Sequence, residues 1–179
     1  PLPTNVARGT FVSDHVEILQ KLGHDVKVVN PLPIMLKYQE ASRSTHTGVA
    51  KAPKKFTHGE IEVFSPRFWG LPGHPLPVMT SFSINRKRKS IERWLGDWRP
   101  DLIICHTLWP VAELTNNLSQ NWQVPWIGVV HGHDFDVGIN DKNISKPIIR
   151  LAKSANHLVT VSSRLDEIAK SIGVEKSSV

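Results

Sequence analysis

Three short apolar runs recur through the second half of this 179-residue chain: "DLIICH" at 101–106, "WIGVVH" at 126–131 and "HLVTVS" at 157–162. Each is about as long as one buried strand and has no polar alternation, so neither face is built for water. Longer segments separate and follow them: "LWPVAELTNNLSQNW", "SKPIIRLAKSAN" and "SRLDEIAKSIG". These read as helices, with Pro147 tolerated in a first turn and Ser162 or Ser163 as an N-cap. Buried strands alternating with helices predict an α/β fold with a mostly parallel sheet and helices on both faces. A sheet of that kind binds ligands at the carboxyl ends of its strands.

The first half continues the theme less regularly. "GTFVSDHVEILQKLGHD" spaces Phe11, Val12, Val16, Leu19 and Leu22 as a helix does, and Gly23 ends it as a cap would. "DVKVVN" follows as a strand. Residues 31–59 are polar, basic and aperiodic and read as a long loop. Ile61–Phe64 reads as a strand and "LPGHPLP" as a loop. Met79 to Trp98 reads as one helix, with Ile84, Ile91, Leu95 and Trp98 on a single stripe, broken by Pro100.

Composition excludes several classes. At 40% hydrophobic and 21% charged residues the chain is an ordinary globular sequence. Its single cysteine, Cys105, lies inside an apolar run, which rules out an internal disulfide framework and predicts a buried structural thiol. The net charge of +6 is concentrated in two places. Residues 37–58 hold five basic side chains and one acidic, and residues 84–99 hold six basic and two acidic. Such clustering points to an anionic partner surface. No nucleic-acid recognition motif accompanies it.

The strand order places His106, His131 and Ser162 at one sheet edge. Beside His131 stand His133, Asp134 and Asp136, in the stretch "HGHDFD". A metal reading makes this a metal-dependent hydrolase, but such sites usually draw on a full (β/α)₈ barrel of about 250 residues. The preferred reading is a metal-free polar cleft, with a merely structural rim as the bland alternative. Gly9 precedes a helix, and amides at a helix N-terminus bind phosphate. Arg86, Lys87, Arg88 and Lys89, near Trp94 and Trp98, form either a solvated helix face or a contact with an anionic membrane. Neither a Gly-x-Ser-x-Gly elbow nor a Gly-x-x-x-x-Gly-Lys loop is present.

Taken in order, "RGTFVSDHVEILQKLGHDVKVVNP", "GEIEVFSPRFWGLPG", "RPDLIICHTLWP", "VPWIGVVHGHD" and "ANHLVTVSSRLDEIAKSIGV" resemble the N-terminal half of family-four glycosyltransferases. The closest likeness is to bacterial enzymes of exopolysaccharide and teichuronic-acid type. The resemblance implies a Rossmann-like domain, one half of a retaining GT-B fold, spanning residues 1–179 on the acceptor side. It implies a first strand missing before "PLPTN" and a donor-binding second domain beyond Val179, without which the isolated chain is expected to be inactive. The family's two glutamates separated by seven residues have no counterpart here.

Carried over residue by residue, the resemblance sets Gly9 and Thr10 against the donor phosphate and His131 against the transferred sugar. His106, Trp109, His133 and Asp134 then line the sugar and acceptor site. The donor is a nucleotide-diphosphate sugar, the acceptor a glycan or lipid-linked molecule, and no metal or cofactor is needed. Front-face attack, with the donor phosphate helping to take the acceptor proton, leaves His131 to orient and stabilise. The implied location is cytoplasmic, peripheral on the inner face of the membrane. A non-catalytic α/β binding domain is the other alternative.

Overall fold

A computed structural model describes residues 2–5, 9–35, 47–71 and 74–179. It divides into two compact units, Pro1–Trp69 and Gly70–Val179. Most of the 31–59 segment's first half lies outside the described residues.

In the first unit, helix α1 spans Thr10–Lys21 and buries Val16 against Ile61 and Val63. It ends as the sequence predicts. Gly23, at φ 91°, lets its own N–H donate to the Gln20 carbonyl at 2.9 Å and the His24 N–H donate to that of Leu19 at 3.1 Å. Those two bonds satisfy carbonyls that a helix end leaves orphaned. Strand β1 (Val28–Val29) pairs in parallel with β4 (Ile61–Phe64), and β2 (Leu32–Pro33) pairs in parallel with β5 (Arg67–Phe68).

Two strands, β2 and β3, fall within the loop expected over residues 31–59. β3, Lys55–His58, runs antiparallel to β4, with His58 opposite Ile61 across Gly59-Glu60. Gly59 has φ 59°, the left-handed conformation that a two-residue hairpin turn demands. Periodicity could not reveal β3 because "KFTH" has no fully buried residue. Its stability comes from backbone pairing and from half-buried Phe56.

The second unit carries the regular architecture. Strands β6 (Ile103–His106), β7 (Trp126–Val130), β8 (His157–Thr160) and β9 (Ser177–Ser178) form one parallel sheet in that order. Helix α4 (Val111–Trp122) connects β6 to β7 and α6 (Ser145–Ser154) leads into β8. Helix α7 (Ser163–Ser171) connects β8 to β9, capped by Ser162, whose Oγ accepts from the Leu165 N–H. The core joins Trp126, Val130, Leu158, Ile148, Leu151 and Leu165. Cys105 belongs to it, and burial pushes its thiol pKa up to about 12, so it is inert as the sequence suggests.

The long helix expected over residues 79–98 is two helices. α2 runs Pro77–Asn85, with proline in its first turn, and α3 runs Arg88–Leu95. Ile84 and Ile91 are both fully buried, so the expected stripe exists across the break. Arg86 and Lys87 interrupt it with ψ near −12°, too flat for continuous α-helix.

The sheet requires a small residue at its centre. A Cβ on Gly128 would stand 2.8 Å from Leu158 Cδ1 and 3.5 Å from Leu108 Cδ2. Gly128→Val is therefore expected to overpack the core and destabilise the unit by about 1–3 kcal/mol. A drop in Tm with no gain in solubility checks it. An unchanged Tm would show that Leu158 yields freely.

Candidate functional site

His106 is the last residue of β6 and His131 directly follows β7, so parallel pairing sets them at the same sheet edge. Nδ1 of His106 lies 3.1 Å from Nε2 of His131, with ring centroids 5.4 Å apart and planes inclined by 21°. Of two facing imidazole nitrogens, one must carry a proton and the other must lack it. The contact therefore fixes which nitrogen of each ring is engaged, and with it how each ring is turned.

Asp134 explains the rest of "HGHDFD". After Gly132, at φ 97°, the chain enters the one-turn helix α5, His133–Asp136. This turns the Asp134 carboxylate inward. Its Oδ2 accepts the Leu108 N–H at 2.8 Å and its Oδ1 the Trp109 N–H at 3.1 Å. Both donors belong to the loop after β6. Desolvation raises the Asp134 pKa, opposed by those two backbone bonds and by the nearby charges of His133 and His131.

Asp136, two residues on, points outward. Its two oxygens accept from the Arg164 guanidinium at 2.7 and 3.1 Å, and that bond holds its carboxyl below the usual range. A Cβ on Gly132 would meet Asp136 Oδ2 at 3.1 Å, a second reason for glycine there. The four side chains of "HGHDFD" thus diverge. Among the described residues no group of three His, Cys, Asp or Glu side chains converges to hold a metal. The hydrolase alternative loses its ligand set on this geometry.

Trp109 is buried, and its Nε1–H donates to His74 Nδ1 at 3.2 Å, the rings meeting edge-on. Burial lowers the His74 pKa, with Asp141 opposing and His133 assisting. His74 is a member of this edge that sequence reasoning missed. It sits in "LPGHPLP", where Pro and Gly signal a loop and nothing signals its destination. His133 is exposed at the start of α5.

The other expected residues belong to other elements. Gly9, at φ 75°, and exposed Thr10 open α1 in the first unit. That helix start has no side-chain cap and no acidic residue in its first turn. In the basic run, Arg86 and Lys89 are exposed, whereas Lys87 and Arg88 are half-buried. Arg88 is committed to Glu92 at 3.2 Å and to Asn121 at 3.0 Å.

Residues 9–179 match the model of the glycosyl transferase 4-like domain. The chain is also 27% identical over its whole length to a Bacillus subtilis (strain 168) protein provisionally named teichuronic acid biosynthesis glycosyltransferase TuaC. It spans 46% of that relative, about half its length.

The Asp134 clasp yields a signed prediction. Asn in its place keeps one acceptor but turns an amide donor toward the other backbone N–H. Asp134→Asn should cost about 1–3 kcal/mol, the usual penalty for an unsatisfied buried donor. Because the folded-state pKa lies above the ordinary 3.8, ionisation in the fold opposes stability. That cost is absent below the ordinary value and grows as pH rises through the raised one. The gap in urea midpoint between wild type and variant should be wider near pH 4 than near pH 7. A gap that widens toward neutral pH would reverse the sign of the shift.

Proposed function

The chain belongs to the family of glycosyl transferase 4-like domains, and we propose that it forms the acceptor-side half of a retaining glycosyltransferase. The observation that carries this reading is the His106–His131 contact at the carboxyl ends of β6 and β7, held by the Asp134 clasp. Parallel α/β sheets bind substrates at that edge. With one nitrogen of each ring engaged by the other, the pair as a whole carries one further N–H and one further lone pair, the two kinds of group that a sugar hydroxyl can meet.

In this reading the donor is a nucleotide-diphosphate sugar and the acceptor a glycan or lipid-linked molecule on the cytoplasmic side of a membrane. Gly9 and Thr10 hold the donor phosphate. The start of α1, with no side-chain cap and no acidic residue in its first turn, supports that role. His131 faces the transferred sugar, orienting it and stabilising the charge that develops as the glycosidic bond lengthens. His106 turns His131, and Asp134 fixes the loop that carries it. His133 lies exposed beside them and contributes to the acceptor side. Trp109 shapes the wall, not a stacking platform, because it is buried. Front-face attack needs no protein nucleophile, and the acceptor proton passes to the donor phosphate. No cofactor or metal enters the reaction.

The test is sugar transfer by the enzyme that contains this domain, assayed against nucleotide-diphosphate sugars. His131→Ala should lower turnover by about a hundredfold or more while leaving the circular dichroism spectrum unchanged, as loss of a preorganised stabilising group does. The anomeric proton of the product should report the same configuration as the donor. Near-normal turnover in the variant would remove His131 from the site, and an inverted product would remove the front-face mechanism.

A further inference from the structure

Three non-glycine residues among those described have a positive φ: His74 at 51°, Thr107 at 79° and Gln123 at 57°. Gln123 ends helix α4, an ordinary place for such a residue. The other two belong to the surroundings of Trp109. Thr107 lies two residues before it, and His74 accepts its indole proton. His74 also precedes Pro75, and a residue before proline favours extended backbone. Strained backbone of this kind persists where its surroundings impose it, and it gathers at functional sites. Here the Leu71 carbonyl accepts the His74 N–H at 3.2 Å while Trp109 holds the ring.

The indole contact decides the chemistry of that ring. Nε1–H of Trp109 is a donor only, and it lies 3.2 Å from Nδ1 of His74. Nδ1 must therefore offer its lone pair, which leaves the proton on Nε2 and the ring uncharged. Nothing comparable fixes His106 and His131, whose contact is satisfied with either ring as donor. Burial acts in the same direction, lowering the His74 pKa, with Asp141 opposing and His133 assisting. Among the described residues Nε2–H of His74 meets no acceptor, and the ring is half-buried. Satisfying the indole takes one acceptor atom, which a carbonyl or an amide supplies as well. A histidine adds a second nitrogen across the ring, with a proton to give.

We propose that His74 binds the acceptor sugar, donating its Nε2–H to an uncharged oxygen of that sugar, with Trp109 as the positioning residue that holds the ring in this tautomer. The assignment rests on the acceptor-side reading of this domain given above. His133, placed on the acceptor side by that reading, is close enough to act on the charge of His74, as is Asp141. A neutral donor near the Asp141 carboxylate suits a hydroxyl or ring oxygen and offers a phosphate no cation. The consequence is selectivity: an acceptor without an oxygen at that position leaves the N–H unpaired and is disfavoured.

Substitution separates the two nitrogens. Asn in place of His74 sets an oxygen near the position of Nδ1, tolerates a positive φ and reaches no further. Gln sets its amide nitrogen near the position of Nε2 and leaves nothing at Nδ1. The experiment is steady-state transfer by the enzyme that contains this domain, from nucleotide-diphosphate sugars to octyl β-glucoside, octyl β-galactoside and octyl N-acetyl-β-glucosaminide. His74→Asn should raise the acceptor KM about tenfold, as loss of one hydrogen bond does, with donor KM and Tm unchanged. His74→Gln should keep the acceptor KM within about threefold of wild type while lowering Tm, because the indole then loses its acceptor. A second reading needs no substrate. In the 179-residue chain, nitrogen NMR of the imidazoles should find His74 protonated at Nε2 alone, and Trp109→Phe should release it to a mixture of tautomers. A role confined to satisfying the indole gives the reverse order of variants, Asn like wild type in acceptor KM and Gln impaired, and that order would overturn the proposal. So would a proton on Nδ1 of His74 in the wild-type chain. Absence of any transfer by the wild-type enzyme would strike the transferase reading itself, and this role with it.

Discussion

One buried carboxylate holds the functional edge of this sheet together. Asp134 sits on the loop after β7, yet both its hydrogen bonds go to backbone amides of the loop after β6. Loops at the end of a parallel sheet have no ladder of their own to align them. Here a charge-assisted pair of bonds does it, at the cost of desolvating a carboxylate. His106 is one residue before the first loop and His131 three residues before Asp134, so fixing the loops sets the distance between the rings.

The same short segment reaches the other way as well. Asp136 binds Arg164 of α7, the helix that follows β8. Successive carboxylates at 134 and 136 therefore tie the β7 loop to its neighbours on both sides, one pair of bonds buried and one pair exposed. The exposed pair adds little stability, as surface ion pairs generally do. Its geometric effect is to limit how α5 turns, and Gly132 supplies the backbone conformation that makes this turn possible. A stretch that reads as four candidate ligands is thus a fastening with one histidine, His131, left facing its partner on β6.

Much of the fold was legible because burial leaves a plain signature. β6, β7 and β8 are apolar on both faces, and "DLIICH", "WIGVVH" and "HLVTVS" contain hardly any other signal. Their order then brought His106 and His131 to one edge without further information. What stayed hidden depends on partners distant in sequence. The direction of Asp134 is decided by the amides of Leu108 and Trp109, and His74 joins the edge only through the Trp109 indole. β3 is held by pairing with β4 and carries no burial pattern to read. The break between α2 and α3 lies inside an unbroken apolar stripe, so periodicity alone continues the helix through it.

The basic run shows why charge is an incomplete guide to a surface. In sequence, Arg86 to Lys89 are equivalent. In the fold, Arg88 is spent on Glu92 and Asn121, while Arg86 lies over an exposed phenylalanine. The apolar half of that surface leaves no trace in periodicity, because α2 is apolar on its buried and exposed sides alike. A helix of that composition is ordinarily enclosed by its own protein. Only the burial of Thr80 and Ile84, which fixes the inward side, shows that Val78, Met79 and Phe82 are turned outward. Arg86 stands at the end of that row, its guanidinium 5.4 Å from the centroid of the Phe82 ring.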